Sequence, residues 1–375
     1  MQFEANEQQR LLSATLNQFL SQRYDFAARI KASREKPGYR TDIWNSFANE
    51  LGILGVGIAE EFGGTGGGPV EQMLVMEELG RALVIEPVAE TVFQCGNLLA
   101  RSGKADLLPK IIDGTVRIAM AVGEPLMRYD LSDIAATATR TSNGWQLSGK
   151  KSVVMTAPWA THFIIAARSS GAAGDIAGLS LFLVPADANG LTQHQYPTID
   201  GRQAADLDLE NIAIGEDALI GEVDQAMPML EETRDWAIAA MAAEAAGLLD
   251  RLVSDTINYC KERKQFGQAI SSFQTLQHRM VDMYMHVEMA RSAALLANLK
   301  LDGDPLERSR AASAAKVTLA NACRFVGQNA VQLHGGMGMT DELPIGHYFK
   351  RATVMESEHG TADWHLSRHA GLMSS

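Results

Sequence analysis

Residues 137–155 read TATRTSNGWQLSGKKSVVM. Two runs of β-type composition flank Asn143-Gly144, the dipeptide that most strongly marks a tight hairpin. The same character extends outward through RIAMAVGE (117–124), THFIIAARSS (161–170), LSLFLVPAD (179–187) and AADLDLENIAI (204–214). In ADLDLE, apolar and acidic residues alternate, as on a strand with one wet face. No helical stretch separates these runs, so parallel βαβ units are not expected. A small antiparallel barrel or sandwich over residues 116–222 is.

On both sides the period changes. Upstream, EQQRLLSATLNQFLSQRY places Leu11, Leu12, Leu16, Phe19 and Leu20 on one helical stripe. RTDIWNSFANELGILG repeats the pattern and stops at a glycine. After the glycine loop EEFGGTGGGP, VEQMLVMEELGRAL starts another helix. Downstream, Leu276, Met280, Met283, Val287, Ala290 and Ala294 step by three and four, as do Ala312, Ala315, Leu319, Ala322 and Val326. Such small-residue stripes suit closely packed antiparallel helices, with the methionines as core rather than as a ligand surface. The expected fold class is therefore α+β multidomain. An N-terminal α-helical domain (1–115) precedes the central antiparallel β-barrel or sandwich (116–222) and a C-terminal four-helix-type bundle (223–375). A chain of 375 residues is long for one core and suits two or three domains.

Apolar residues make up 46% and charged residues 21%, the balance of an ordinary globular protein. A net charge of −12 argues against a nucleic-acid partner. Cys95, Cys260 and Cys323 are distant from one another and odd in number, which points away from a disulfide framework and toward the cytoplasm. The start MQFEANEQQRLLSATL lacks a basic region and an apolar core, so no signal peptide is expected, and no run is long enough for a membrane span.

The glycine loop at 60–69 does not fit a phosphate-binding fingerprint, because Pro69 stands where the last glycine belongs and no Gly-Lys-Ser/Thr ending follows. A flexible connector is the better reading. Three polar constellations interrupt the C-terminal helices. KERKQFGQ (261–268) offers Arg263, able to hold a phosphate by two parallel hydrogen bonds, and Phe266, able to cover a flat ring. A cationic helix end with a buried Phe explains the same residues. QLHGGMGMTDELP (332–344) sets Gln332 before Gly335 and Gly336, and glycines let a ligand approach backbone N–H groups. A helix-ending turn is the alternative, with His334 simply packed. VMESEHGTADWHLSR (354–368) runs acids into His359, Gly360 and Thr361. His365 and His369 are spaced for one helix face, but no Cys or carboxylate motif accompanies them, so no metal is expected.

In this order, these motifs resemble the acyl-CoA dehydrogenase family over nearly the whole chain. EEFGG with MEELGRAL is similar to its N-terminal signature, AVGEP to its T-E-P strand end, ERKQFGQAISSFQ to its R-x-x-F-G…Q run, and QLHGGMGMTDELPI to its Q-x-x-G-G-x-G run. The resemblance implies FAD held across a subunit interface and oxidation of acyl-CoA to 2-enoyl-CoA, with a carboxylate base and hydride transfer to the flavin. It also implies electron-transfer flavoprotein as the acceptor. Arg263, Phe266, Gln274, Gln332, Gly335 and Gly336 become contacts to the ADP half of FAD, and Thr361 joins the cofactor contacts. RYDFAAR and GGGPVEQMLVMEELGRAL look most like the small subunit of pimeloyl-CoA dehydrogenase.

The departures from the family pattern are local. Its Y-E-G-T motif aligns with Glu358-His359-Gly360-Thr361, so His359 takes the place of the base, and the other family position for a base falls on Ala237. Gly123 replaces the Thr of T-E-P, bulky Leu126, Met127 and Arg128 follow it, and Val153 and Met155 replace an aromatic and a Thr that serve the flavin ring. What serves a neighbour's FAD is kept and what serves the chain's own ring is altered. That pattern fits one partner of a heteromeric acyl-CoA dehydrogenase. A homomer with a substitute base among Glu356, Glu358, His359 and Asp363 is the second reading, and a flavin-free assembly protein the third. A histidine base is chemically reasonable, since its ordinary pKa is about 6.5.

Overall fold

In the computed structural model, which describes residues 5–374, the central zone forms eight strands. They are β1 (Ile118–Ala121), β2 (Thr137–Thr141), β3 (Gly144–Met155), β4 (His162–Arg168), β5 (Leu179–Pro185), β6 (Leu191–Pro197), β7 (Gln203–Ile214) and β8 (Leu219–Ile220). Seven lie in the order β6-β7-β3-β2-β4-β5-β8. The hairpin is present, but its two loop residues are Ser142 and Asn143, because Thr141 pairs directly with Gly144. The sheet is mostly rather than wholly antiparallel: β1 runs parallel to β4 from Ile118↔His162 to Ala121↔Ile165, and β2 meets β4 in parallel at Thr137↔Arg168. A four-residue strand carries no directional signal in its sequence, so this pairing is not visible there. On β7 the expected alternation holds, with Ala205, Leu207 and Leu209 buried among Trp145, Phe163, Ile165 and Phe182.

Among the described residues eleven α-helices flank this zone in the chain: α1 (Glu7–Arg23), α2 (Phe26–Arg34), α3 (Thr41–Asn49), α4 (Pro69–Arg81), α5 (Asn97–Arg101), α6 (Leu108–Ile112), α7 (Met227–Glu262), α8 (Gln274–Leu299), α9 (Pro305–His334), α10 (Pro344–Met355) and α11 (Ala362–Ser374). A π-helical stretch, Ala89–Gly96, leads into α5. Two compact units result. One holds Lys31–Gly68 and Ile85–Ala237, including the sheet; the other holds the residues up to Ile30, Pro69–Val84 and the chain from Ile238 onward.

In the second unit α8, α10 and α11 all pack on α9. Met280, Met283, Val287, Ala290 and Ala294 of α8 are buried with Ala312, Ala315, Leu319, Ala322 and Val326 of α9, as their spacing predicts. On α1 the stripe is narrower than expected. Leu16 and Leu20 are buried, but Leu11 is 66% exposed, so the apolar contact is confined to the second half of the helix, while Gln9 in the first half reaches Glu71 of α4 by a hydrogen bond at 2.8 Å.

In this unit α4 and α7 approach one another closely. A Cβ built on Gly80 would stand 2.0 Å from the Glu244 carbonyl oxygen, and one on Gly247 1.8 Å from that of Glu77. Only glycines let these backbones touch. Replacing Gly247 by alanine should therefore lower the unfolding free energy by about 1–3 kcal/mol, the usual cost of overpacking. A urea midpoint equal to wild type would show that the helices part freely.

Candidate functional site

The first motif lies where α7 ends. The Arg263 N–H still bonds to the Tyr259 carbonyl at 2.8 Å, and the chain then folds back in a short hairpin, β9 (Lys264–Gln265) against β10 (Gln268–Ala269). Its tip is Phe266-Gly267, at φ +53° and +79°. A tight turn with positive φ at both central positions suits glycine; phenylalanine there is an outlier that the surroundings must hold. The expectation of a buried Phe is thus not met: Phe266 is 91% exposed, its ring set edge-to-face on Phe273 at 6.2 Å. Phe273 precedes Gln274, the first residue of α8.

Tyr259 stacks on His334 at 4.3 Å and donates its hydroxyl to the His334 carbonyl at 3.3 Å. That contact ties the end of α7 to the end of α9, which carries Gln332. His334 is packed, its Nδ1 donating to the Ala330 carbonyl at 2.8 Å, and burial pushes its pKa down. Past it, Gly335 (φ +60°) and Gly336 are exposed, with no atom within 4 Å of where a Cβ would stand. Arg263, Gln274 and Gln332 are exposed, and their side chains hydrogen-bond to no described residue. Fixed backbone, open glycines, an uncommitted guanidinium and an exposed aromatic face form a donor set suited to a nucleotide diphosphate and its flat ring.

The loop between α10 and α11, in the same unit, is held from several sides. Arg351, 3% exposed, donates to both oxygens of Glu244 at 2.7 and 2.8 Å and to Glu358 at 2.9 Å. Arg324 takes Glu356 at 2.7 Å. Buried Lys316 donates to the Met355 and Glu356 carbonyls at 2.7 and 3.1 Å. Burial pushes its ammonium pKa down to about 8, against the pull of Cys323, Glu358 and Glu356. His359 sits at φ +58°. Thr361 caps α11 by accepting the Trp364 N–H at 3.3 Å. Of the acids in the loop, Glu356 and Glu358 are bound to arginines, and Asp363 lies exposed in the first turn of α11. Ala237, on α7, has no titratable group. His365 and His369 face the carbonyls of His359 and Arg310, at 3.0 and 3.2 Å.

In the sheet unit, Glu124 accepts from Lys151 at 2.6 Å and from the Ala135 and Ala136 N–H groups at 2.9 and 3.0 Å. Lys151 is fully buried; burial lowers its pKa and Glu124 raises it. The next residues leave the β3–β7 ladder in a bulge. Ser152 donates to the Gly123 carbonyl at 2.8 Å, and a Cβ on Gly123 would press on the Ser152 oxygen at 3.0 Å. Val153 is 60% exposed at φ +53°, a strained place for a β-branched residue. Its N–H goes to Asp206 at 2.9 Å, and the Tyr196 hydroxyl donates to the same oxygen at 2.8 Å. Burial first, then Asp206, pushes the Tyr196 pKa up to about 12. This strand edge thus presents an aliphatic side chain, and its amide is spent within the chain.

Sequence reasoning missed the Glu244–Arg351–Glu358 triad, whose members are far apart in the chain, and the buried Lys151–Glu124 pair. It also missed the π-helical stretch 89–96, a feature frequent at functional sites. That stretch lines a cavity of about 70 Å³ in the sheet unit with Gln94, beside Arg101, Thr233 and Trp236. Nothing in AETVFQCG marks it.

Three family models match the chain. Residues 6–115 match acyl-CoA dehydrogenase, N-terminal domain; 119–212 its middle domain; and 224–371 its C-terminal domain. Acyl-CoA dehydrogenase FadE12 of Mycobacterium tuberculosis is 30% identical over 320 residues, 83% of this chain and 82% of that one. Among solved structures, the Tcur3481-Tcur3483 steroid ACAD is similar at 28% identity and TM-score 0.88, with 98% of each chain covered. The ChsE4-ChsE5 complex from Mycobacterium tuberculosis, at 24% identity and TM-score 0.90, covers 100% of this chain and 99% of that one and shares the fold. Among the described residues no helix is long and apolar enough to cross a membrane.

Proposed function

The chain belongs to the acyl-CoA dehydrogenase family, oxidoreductases of acyl-CoA, and we propose that it is the subunit of a heteromeric, FAD-dependent enzyme that lends ADP-half contacts to its partner's flavin. The observation that carries this reading is the contrast between two sets of groups. The Arg263, Gln274 and Gln332 side chains stand uncommitted beside the exposed Gly335-Gly336 turn, while the Val153 N–H is committed to Asp206 and no carboxylate stands at position 359.

When FAD is bound, its flavin accepts the hydride of the acyl-CoA oxidation. Arg263 would grip the diphosphate, and the exposed face of Phe266 would cover a flat ring. The Gln274 and Gln332 amides would complete the donor set, the side-chain-free turn at Gly335 and Gly336 would let the ligand approach the backbone closely, and the Thr361 hydroxyl retains its hydrogen to donate. The base acts in the partner. His359, at the family's base position, is spared that role in this reading.

The partner is a second chain of the same fold. Val281, Met285 and Met289 of α8 are each more than half exposed and lie four residues apart, followed by Leu296, an apolar stripe of the kind that marks an interface. The two structures named above for pairs of chains support the same assembly. Electron-transfer flavoprotein is the acceptor that the family suggests. Three buried free thiols support a reducing compartment, the cytoplasm. The family models' segments support division of the chain near residues 115 and 222.

Arg263→Ala tests the donor set. Loss of a charge-assisted contact, worth about 1.5–3 kcal/mol, should weaken FAD retention in the assembled complex by about tenfold or more. The circular dichroism of the isolated chain should not change. Unchanged retention would remove Arg263 from the site.

A further inference from the structure

We infer that His365 is a positioning residue, holding residue 359 in its left-handed conformation; the inference rests on 359 being the family's base position, not on whether this chain uses it. His365 is fully buried, and its Nε2 lies 3.0 Å from the His359 carbonyl oxygen, which can only accept, so Nε2 carries the proton. Its Nδ1 lies 3.2 Å from the Ser313 hydroxyl, and that oxygen already accepts from the Arg368 guanidinium at 2.9 Å. A second cation donating to the same oxygen would sit against Arg368. The ring is therefore neutral, with Ser313 donating to Nδ1, and a relay runs from Arg368 through Ser313 and His365 to the 359 carbonyl.

The ring also fills the space beneath the loop. A Cβ on Gly360 would meet His365 Nε2 at 2.7 Å, and Trp364 packs edge-to-face on His365 at 4.7 Å. A non-glycine residue at φ +58° is disfavoured and persists only where its surroundings over-determine it. Arg351, Arg324 and Lys316 grip the residues before 359. His365 holds the carbonyl of 359 itself.

The experiment follows amide exchange of residues 358–361 by mass spectrometry on the whole chain. His365→Leu should speed it by about fivefold or more, the usual worth of a hydrogen bond. His365→Gln, whose amide can donate to the carbonyl and accept from Ser313, should stay within about twofold of wild type. Adding His359→Gly to His365→Leu should bring exchange back toward wild type, because glycine adopts positive φ without strain. Three results would overturn the inference: unchanged exchange in His365→Leu, equal exchange in the Gln and Leu variants, or no recovery with glycine at 359. Measured on the chain freed of FAD, loop exchange does not depend on turnover or on a bound flavin, so this inference and the proposed division of labour between subunits can fail separately.

Discussion

Purified alone, the chain should turn over acyl-CoA at least about 10²-fold more slowly than its complex with the partner subunit, the deficit expected when a positioned base is missing. Glu356 and Glu358, the nearest carboxylates, are held by Arg324 and Arg351 and are poorly placed to accept a proton from substrate. In the complex, His359→Ala should leave kcat within about twofold of wild type, because the partner supplies the base. A homomer with a histidine base gives the opposite result: a loss of about 10²-fold or more in His359→Ala with FAD content unchanged. Coherence favours the first outcome. Position 359 has not changed by itself; Val153, Gly123 and the Leu126–Arg128 loop differ with it, and the Val153 amide is already bonded to Asp206.

The second large effect is on stability. Arg351→Ala should lower the unfolding free energy by about 3 kcal/mol, since buried Glu244 and largely shielded Glu358 would remain with their shared cation gone. Glu358 is 15% exposed at its side chain and Glu244 11%, so water replaces the guanidinium only in part. Much of the loss should return in the triple variant Arg351→Met, Glu244→Gln, Glu358→Gln, which removes the charges together. Denaturant midpoints decide the matter. A shift below about 1 kcal/mol for Arg351→Ala, the range of an exposed pair, would show that the triad is solvated and that Glu358 is free to act.

Local patterns were legible in the sequence. The period change around residues 137–155 and the stripes of α8 and α9 depend only on neighbours within a few turns, and both are present as read. The runs on which the family resemblance rests were legible because each is short. What escaped was long-range or conformational. Leu11 has the right spacing but no partner surface, and nothing near it in the chain says so. Phe266 was read as either a ring cover or a buried residue; its strained, exposed place at a hairpin tip follows from the turn, whose geometry the residues Lys264–Ala269 do not announce. Arg351 is one of many arginines in the sequence, and it becomes a clamp only because α7 brings Glu244 beside α10.

The most direct measurement is the FAD content of the chain by its visible spectrum, alone and in complex. Alone, it should be colourless and inactive if it holds only the ADP-half contacts proposed above and the ring half lies in the partner. With its partner it should retain FAD, and Arg263→Ala should reduce that retention. A yellow chain with one FAD per subunit, turning over acyl-CoA unaided, would contradict the account.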